Sequence, residues 1–451
     1  MQKIFTHKKI LICVSGSIAA YKMLECISRL YKYGAQIRVI MSAEACKFVN
    51  PLSFEALSKN IVLSENNQMW ASECVNESIE KVADKTIVGV NHISYAKWAD
   101  IVLIAPATAN SIAKIAYGIA DSVMLSAILA TSAPKILAPA MNTAMLDAPQ
   151  TKRNLDTLIS MGYEIIPSRS SLLACGDYGN GALAEVDEII FCLARALYLQ
   201  DSHLQISYFQ NSNTHNPPAQ IAFWRDREVI ITGGGSKENI DLVRYISNHS
   251  SGKQASALAL ALYMLGARVR LISSAFPITL PLGIECKRVQ SVRSYDEAIS
   301  EAIHTALDLK STKKPALFMV AALADYAPTR QEGKLKKEQI GDELILVCHK
   351  TKDILSHICA DKIYKIGFKA ETDEKNALNH AQNMLKNKHC EAVCLNVINA
   401  NNPFGGENNA LKIITSQGIE EISGSKFDVA LKIALFIAPL LTYKDLESQV
   451  K

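Results

Sequence analysis

Four features are missing from this chain, and each absence removes a class of function. No stretch reaches the ~18 consecutive apolar residues of a membrane-spanning helix, and the N-terminus runs into the strand-like Lys9–Val14 instead of a leader peptide. A soluble, membrane-free protein follows. No block of Lys and Arg stands out, and a formal charge of +4 over 451 residues is small. That argues against nucleic acid as a partner and for small anionic ligands. The eleven cysteines are scattered and odd in number, which fits a reducing cytoplasm and no disulfide framework. Cys390 and Cys394 are a close pair without a second pair, so they do not make a zinc site. Lastly, Gly233-Gly234-Gly235 begins a G-x-G-x-x-G pattern, but its sixth position is Glu238. The spacing needed for a dinucleotide pyrophosphate fails.

What remains is an ordinary α/β composition, 49% hydrophobic and 20% charged, in a chain too long for one core. Two stretches restart the same pattern. Lys9–Val14 reads as a buried strand, Ser15-Gly16-Ser17 as a turn, residues 18–33 as one helix closed by Gly34, and Gln36–Met41 as the next strand. Glu228–Thr232, a glycine-rich turn, a helix over 255–265 and Arg268–Ser273 repeat that order. Between them, residues 200–225 are polar, aperiodic and contain Asn211-Ser-Asn-Thr-His-Asn-Pro-Pro218, a linker. The expected architecture is two doubly wound, Rossmann-like domains in series, 1–199 and 226–451, the first flavodoxin-like.

In the first unit, strand Ile101–Ala105 ends in Pro106-Ala-Thr-Ala-Asn110, and Lys135–Ala138 ends in Pro139-Ala-Met-Asn142. Ligands of open α/β sheets bind at these carboxyl ends. Ser15-Gly16-Ser17 at a helix start suits a single phosphate. Asn50-Pro51 begins a further helix, and residues 91–98 form a short one starting near His92. Residues 60–90 carry no clear pattern. Taken alone, His92 reads first as a helix-start cap or a partner of a backbone carbonyl, and Asn142 equally as a turn former.

Five marks in order resemble the homo-oligomeric flavin-containing cysteine decarboxylases over most of residues 8–190. They are Ser15-Gly-Ser-Ile-Ala-Ala-Tyr-Lys22, Asn91-His92-Ile93, Ala105–Asn110, Pro139–Asn142 with Met145, and Ala174-Cys175-Gly176-Asp177. The resemblance implies FMN, with Ser15, Gly16, Ser17, Ser42, Ala107 and Thr108 around it. It implies Cys175 as proton donor, His92 beside flavin and substrate, and Asn142 on the substrate carboxylate. A thiol of ordinary pKa ~8.5 is protonated at neutral pH and can give a proton. Trimers building larger shells are implied for this unit. Two features differ from that family. The flap has Ala182 where the family carries an arginine, and residues 60–90 form a longer segment.

In the second unit the polar stretch Arg244–Lys253, between strand and helix, reads as a loop that holds an anion. It belongs to a series resembling the phosphopantothenate–cysteine ligases over about residues 225–440: Gly233–Ser236, Ile240-Asp241, Val243–Lys253, Ala321–Tyr326, Lys334–Lys337, Lys350, Asp353-Ile354, Gly367-Phe368 and Glu371-Thr372. The resemblance implies CTP, 4′-phosphopantothenate, cysteine and Mg2+ as reactants, an acyl-cytidylate, and a dimer. Its product, 4′-phosphopantothenoylcysteine, is what the first family decarboxylates. Lys334 is implied on the triphosphate and Asn248 on the acyl-phosphate or carboxylate, with Arg244 beside it. Met319, Val320, Ala321, Asp325, Lys350, Phe368 and Lys388 are implied around the nucleotide. By composition alone, Lys334–Lys337 is equally a solvated loop. Thr351-Lys352 replaces an Asn-Pro of that family, and Met384 replaces the first of two nucleotide-facing lysines. A flavin-binding regulatory module and a peptidyl-cysteine decarboxylase are the rival readings of the first unit.

Overall fold

The computed structural model describes residues 2–67, 91–174, 176–200, 222–309, 313–335, 343–399, 402–403 and 405–450. It divides into two compact units, Met1–Gln200 and Asp201–Lys451. Cys175, residues 68–90 of the patternless segment, and residues 201–221 of the expected linker lie outside the described residues.

The first unit is built on five parallel strands: β1 (Lys9–Val14), β2 (Gln36–Met41), β3 (Ile101–Ala107), β4 (Lys135–Pro139) and β5 (Glu164–Ile165), in the order β2-β1-β3-β4-β5. This is the flavodoxin-like order, whose switch point lies between β1 and β3. The strands read as unbroken apolar runs because helices cover both faces of the sheet; β3 is buried along its whole length. The single helix expected over 18–33 is instead a 3-10 turn, Ile18–Tyr21, followed by the α-helix Lys22–Lys32. The Ser17 hydroxyl accepts from the Ala19 N–H, which draws the first turn tight. Met23, Cys26, Ile27 and Leu30 then face the sheet at helical spacing. Strand β3 runs two residues past its expected end, because Ala107 pairs with Pro139 beyond an irregularity in the ladder. After β5, a hairpin of β6 (Arg169–Leu172) and β7 (Tyr178–Ala182) forms the flap, with Arg169 opposite Ala182.

The main sheet of the second unit has eight strands among the described residues: β8 (Glu228–Gly233), β11 (Arg268–Ser273), β12 (Ile284–Arg288), β13 (Ala316–Met319), β16 (Tyr364–Glu371), β17 (Ala392–Val397), β18 (Asn408–Ile414) and β19 (Ile419–Ser425). Their order is β12-β11-β8-β13-β16-β17-β18-β19. The six from β12 to β17 are parallel, and β18 and β19 continue the sheet antiparallel. The helix Lys253–Met264 is buried on all sides from Ala255 onward, lying between the sheet and the helix Lys426–Val450. Its close approach needs Gly233, since a Cβ there would fall 2.6 Å from the Ala255 Cβ.

Ala222–Trp224, inside the expected linker, is helical, and Phe223 and Trp224 are buried. The Trp224 indole donates to the Ala434 carbonyl at 2.9 Å. Arg227, only 2% exposed, donates to Asp445 at 2.7 Å and to the Phe223 and Lys314 carbonyls. No helix of the described residues is long and apolar enough to cross a membrane.

Candidate functional site

Each sheet gathers its chemistry-bearing residues at the carboxyl ends of its strands. In the first unit the Ser15 hydroxyl donates to the Pro106 carbonyl at 2.6 Å and accepts from the Thr108 N–H at 3.0 Å. One buried side chain thus fastens the turn after β1 to the turn after β3. Thr108 in turn accepts from the Ser111 N–H and caps the helix Ala109–Ala116, a device worth about 1 kcal/mol. The Ser42 hydroxyl accepts from the Ala45 N–H at 3.2 Å just past the end of β2. Gly16 has no alternative, because a Cβ would lie 2.3 Å from the Glu44 Cβ. The result is a set of small hydroxyl residues and helix N-termini at the switch point of the sheet, a composition suited to a monophosphate such as that of FMN.

Beside this loop a cavity of about 370 Å3 is lined by Ser17, Lys22, Met141, Asn142, Arg169 and Ala174, among others. The Asn142 side-chain oxygen caps the helix Thr143–Asp147 by accepting from the Ala144 N–H at 2.8 Å. The flap is joined to this turn through the Met141 N–H, which donates to the Gly181 carbonyl at 2.9 Å. His92 sits near the start of the helix Asn91–Trp98. That helix packs against β1 and the helix Val123–Ala130. His92 is not part of the Asn142 cavity wall. Burial lowers its pKa, favouring the neutral imidazole.

In the second unit the stretch 244–253 is not the open loop expected from its composition. Its first part, β10 (Tyr245–Ser247), pairs antiparallel with β9 (Lys237–Asn239). The cause is Asp241, whose side chain is fully buried. Its Oδ1 accepts from the Val243 and Arg244 N–H groups, both at 2.7 Å, and reverses the chain. Its Oδ2 accepts from the Arg244 guanidinium at 3.0 Å and from the Leu335 N–H at 3.2 Å. Burial pushes the Asp241 pKa up, but the three N–H groups and the guanidinium outweigh it and hold the carboxyl at about 2. Arg244 also donates to the Leu335 carbonyl at 2.6 Å, so Arg244 is tied to the loop carrying Lys334.

The turns after β8 and β13 are laced together. The Ala322 N–H donates to the Gly234 carbonyl at 2.9 Å, and the Ser236 N–H donates to the Ala322 carbonyl at 3.1 Å. The same carbonyl accepts from the Asn248 side-chain amide at 3.1 Å. The Thr232 hydroxyl accepts from the Val320 and Ala321 N–H groups at 3.1 Å. These turns follow directly on β13, which ends at Met319. Asn248 therefore belongs to the seam between the two turns, while Arg244 and Lys334 belong to the Asp241 anchor. Among the described residues no hydrogen bond joins Lys334 to Asn248.

A cavity of about 150 Å3 brings Val320, Ala321 and Phe368 together with Gly252, Lys253 and Lys426; Met319 is buried behind them. Asp325, Lys334, Lys350 and Lys388 are outside its wall. Lys350 lies on an exposed ribbon, β14 (Tyr326–Pro328) with β15 (Cys348–Lys350), and faces Tyr326. The Asp325 carbonyl accepts from the Thr351 N–H at 2.8 Å. Lys388 pairs with Asp353 at 2.9 Å, and Lys352 with Asp296 at 2.8 Å. Met384 packs on Gly367, where a Cβ would fall 2.7 Å from its methyl carbon. It therefore fills the core side of its helix.

The sequence reading gave no individual role to Thr232, Ser236 and Asp241, which hold the site's loops, or to Lys426, which lines its cavity together with Lys253 of the expected anion-holding stretch. Each is one polar residue within a longer pattern, and what gives it a role is a partner far along the chain. Only Asp241, three residues before Arg244 at the start of a turn, carried a local signal.

Residues 3–198 match the Flavoprotein family, and residues 224–440 match the DNA/pantothenate metabolism flavoprotein C-terminal domain. The chain is 35% identical over 441 residues to the coenzyme A biosynthesis bifunctional protein CoaBC of Bacillus subtilis (strain 168), covering 96% of this chain and 97% of that one. It is 35% identical over 429 residues to the Haemophilus influenzae protein of the same name, covering 94% and 95%. With the Escherichia coli (strain K12) protein it shares 34% identity over 417 residues, 91% of each chain. Two sheets in series, each with a loop-built site at its strand ends, and relatives matched along nearly their whole length, make this chain a member of the bifunctional coenzyme A biosynthesis protein family.

Proposed function

We propose that residues 222–451 ligate cysteine to 4′-phosphopantothenate with CTP, and that residues 1–200 decarboxylate the product to 4′-phosphopantetheine, with residues 201–221 as the connector. The observation that carries this division is the pair of separate carboxyl-end sites, one hydroxyl-lined and one cation-lined. In the ligase unit the substrate carboxylate attacks the α-phosphate of CTP and pyrophosphate leaves; the cysteine amine then displaces CMP. This chemistry needs positioning and charge neutralisation above all. Lys334 neutralises the triphosphate, and the amide of Asn248 holds the acyl-phosphate oxygen. Arg244 keeps the Lys334 loop in place through Asp241 and Leu335. Val320, Ala321 and Phe368 wall the nucleotide, with Met319 behind them; Asp325, Lys350 and Lys388 approach it from the ribbon side. Mg2+ enters with the triphosphate. Phosphate oxygens and water would supply most of its ligands, as is usual for Mg2+ bound with a nucleotide.

In the decarboxylase unit Ser15, Gly16, Ser17, Ser42, Ala107 and Thr108 hold the FMN phosphate and ribityl chain. When bound, FMN supplies reversible hydride-transfer chemistry at the thiol-bearing carbon. Asn142 meets the departing carboxylate with a neutral amide, and Cys175 returns the proton. His92, outside the Asn142 cavity wall, is assigned a place beside flavin and substrate by the family resemblance. The same resemblance favours a homo-oligomer, trimer-based for the first unit. Exposed Ile18 and Tyr21, beside the cavity, offer contact surface. In the second unit, exposed Leu242, Val243, Ile345 and Val347 suit a dimer face. Both units work on small molecules in the cytoplasm.

Purified protein is expected to be yellow, to release pyrophosphate from CTP only when phosphopantothenate and cysteine are both present, and to release CO2. Colourless protein that releases no pyrophosphate under those conditions ends this reading.

A second expectation concerns Asp241→Asn. The amide oxygen keeps the bonds from Val243 and Arg244, but its NH2 group now faces the Arg244 guanidinium and the Leu335 N–H, donor against donor. Ligation should fall roughly 10- to 100-fold. In the parent chain this carboxyl has a folded pKa of about 2, below the ~3.9 of an unfolded Asp. Its contribution is therefore complete above about pH 4 and is lost as the pH falls toward 2. Acid titration of the variant should lack that limb; an unchanged acid profile counts against the anchor.

A further inference from the structure

The Asn142 cavity contains two charged side chains, Lys22 and Arg169, and its wall includes no carboxylate. Arg169 sits on β6 opposite Ala182, and both residues line the cavity. The guanidinium is held from behind. Its Nε donates to the Leu183 carbonyl at 3.2 Å and pairs with Glu185 at 3.0 Å. The other Glu185 oxygen lies 3.9 Å from the Lys22 amino group. Glu185 stands outside the cavity wall and braces both cations from one side. The two terminal nitrogens of Arg169 make no hydrogen bond among the described residues, and a planar fork of this kind matches a phosphate or carboxylate face.

The decarboxylase substrate presents two anions, a carboxylate that departs and a phosphate monoester that does not react. Fixed cations on the departing carboxylate would stabilise the ground state more than the transition state, in which that charge leaves, and so would slow the reaction. The neutral amide of Asn142 suits the carboxylate, and a paired guanidinium and ammonium suit the phosphate. Building on the decarboxylase reading above, we infer that Arg169 and Lys22, braced by Glu185, form the subsite for the phosphate monoester end of the substrate.

The test compares decarboxylation of 4′-phosphopantothenoylcysteine with that of the same compound lacking its phosphate, using the full flavin-loaded chain. The ratio of the two kcat/KM values should fall about 10- to 100-fold in Arg169→Gln, the range of one charge-assisted hydrogen bond. The fall should appear in KM rather than kcat, with bound flavin retained. Gln can still donate to the Leu183 carbonyl, which protects the flap, and Arg169→Lys should restore part of the ratio. Equal losses on both substrates would overturn the subsite and leave the decarboxylase intact; so would loss of flavin, which would assign the guanidinium to the cofactor. A parent chain that decarboxylates neither compound would overturn the decarboxylase reading itself, and the subsite with it.

Discussion

Asn248→Asp should abolish ligation, by roughly 100- to 1000-fold as for loss of one oxyanion-binding donor, while decarboxylation of supplied 4′-phosphopantothenoylcysteine continues. The substitution is isosteric and the position is exposed, so the fold should tolerate it. The bond from the Ser250 N–H to the residue 248 carbonyl, 2.8 Å, uses backbone alone and survives. What changes is the group facing the Ala322 carbonyl. An amide donates to it at 3.1 Å; a carboxylate can only repel it. The seam between the turns after β8 and β13 then loses a stitch, and a negative charge appears where a triphosphate and an acyl-phosphate must sit. Pyrophosphate release in the presence of both co-substrates measures the loss. Retention of more than about a tenth of the parent rate would remove Asn248 from the reacting centre. Loss of both activities together would contradict two independent units.

The reciprocal expectation is Asn142→Asp. Asp is as good a helix cap as Asn, so the bond from the Ala144 N–H, 2.8 Å in the parent, and the short helix behind it should persist. The cavity, whose wall includes no carboxylate, acquires one against the carboxylate of the substrate. Two unit charges ~4 Å apart at an effective dielectric near 20 repel by about 4 kcal/mol, so CO2 release should fall about 1000-fold. Ligation and flavin content should remain. A variant that still decarboxylates at a rate near the parent's would mean that the substrate carboxylate lies elsewhere.

Much of this architecture was legible in the chain because burial writes it there. β1, β3 and β8 are continuous apolar runs, since helices cover both faces, and their ends are marked by Ser-Gly-Ser, Pro-Ala-Thr and a triple glycine. The turns at those ends could be located, but their internal structure could not. The β9–β10 ribbon is three residues a side and lacks an apolar period; it exists because Asp241 collects bonds from Arg244 and from Leu335, 94 residues on. Met384 read as a lost lysine, yet its helix turns that position toward Gly367 and the core. The antiparallel β18 and β19 alternate buried and exposed residues, a two-sided pattern that no short window separates from a surface loop. Asn142 and Asn248 were singled out by resemblance to two families. Their cap and seam bonds depend on chain reversals that no local pattern specifies.

The anchoring of Trp224 and Arg227 also dictates where the polypeptide can be divided. The indole and the guanidinium reach Ala434 and Asp445, more than two hundred positions downstream, and Tyr364 on the central strand β16 donates to the same Asp445. A free-standing ligase half must therefore begin before residue 222 and keep its last helix through Asp445. A cut a few residues later, or a trimmed C-terminus, would leave a buried cation without its counter-charge, a defect that costs about 3–5 kcal/mol. Dissection at 201–221 leaves every one of these partners on the same fragment.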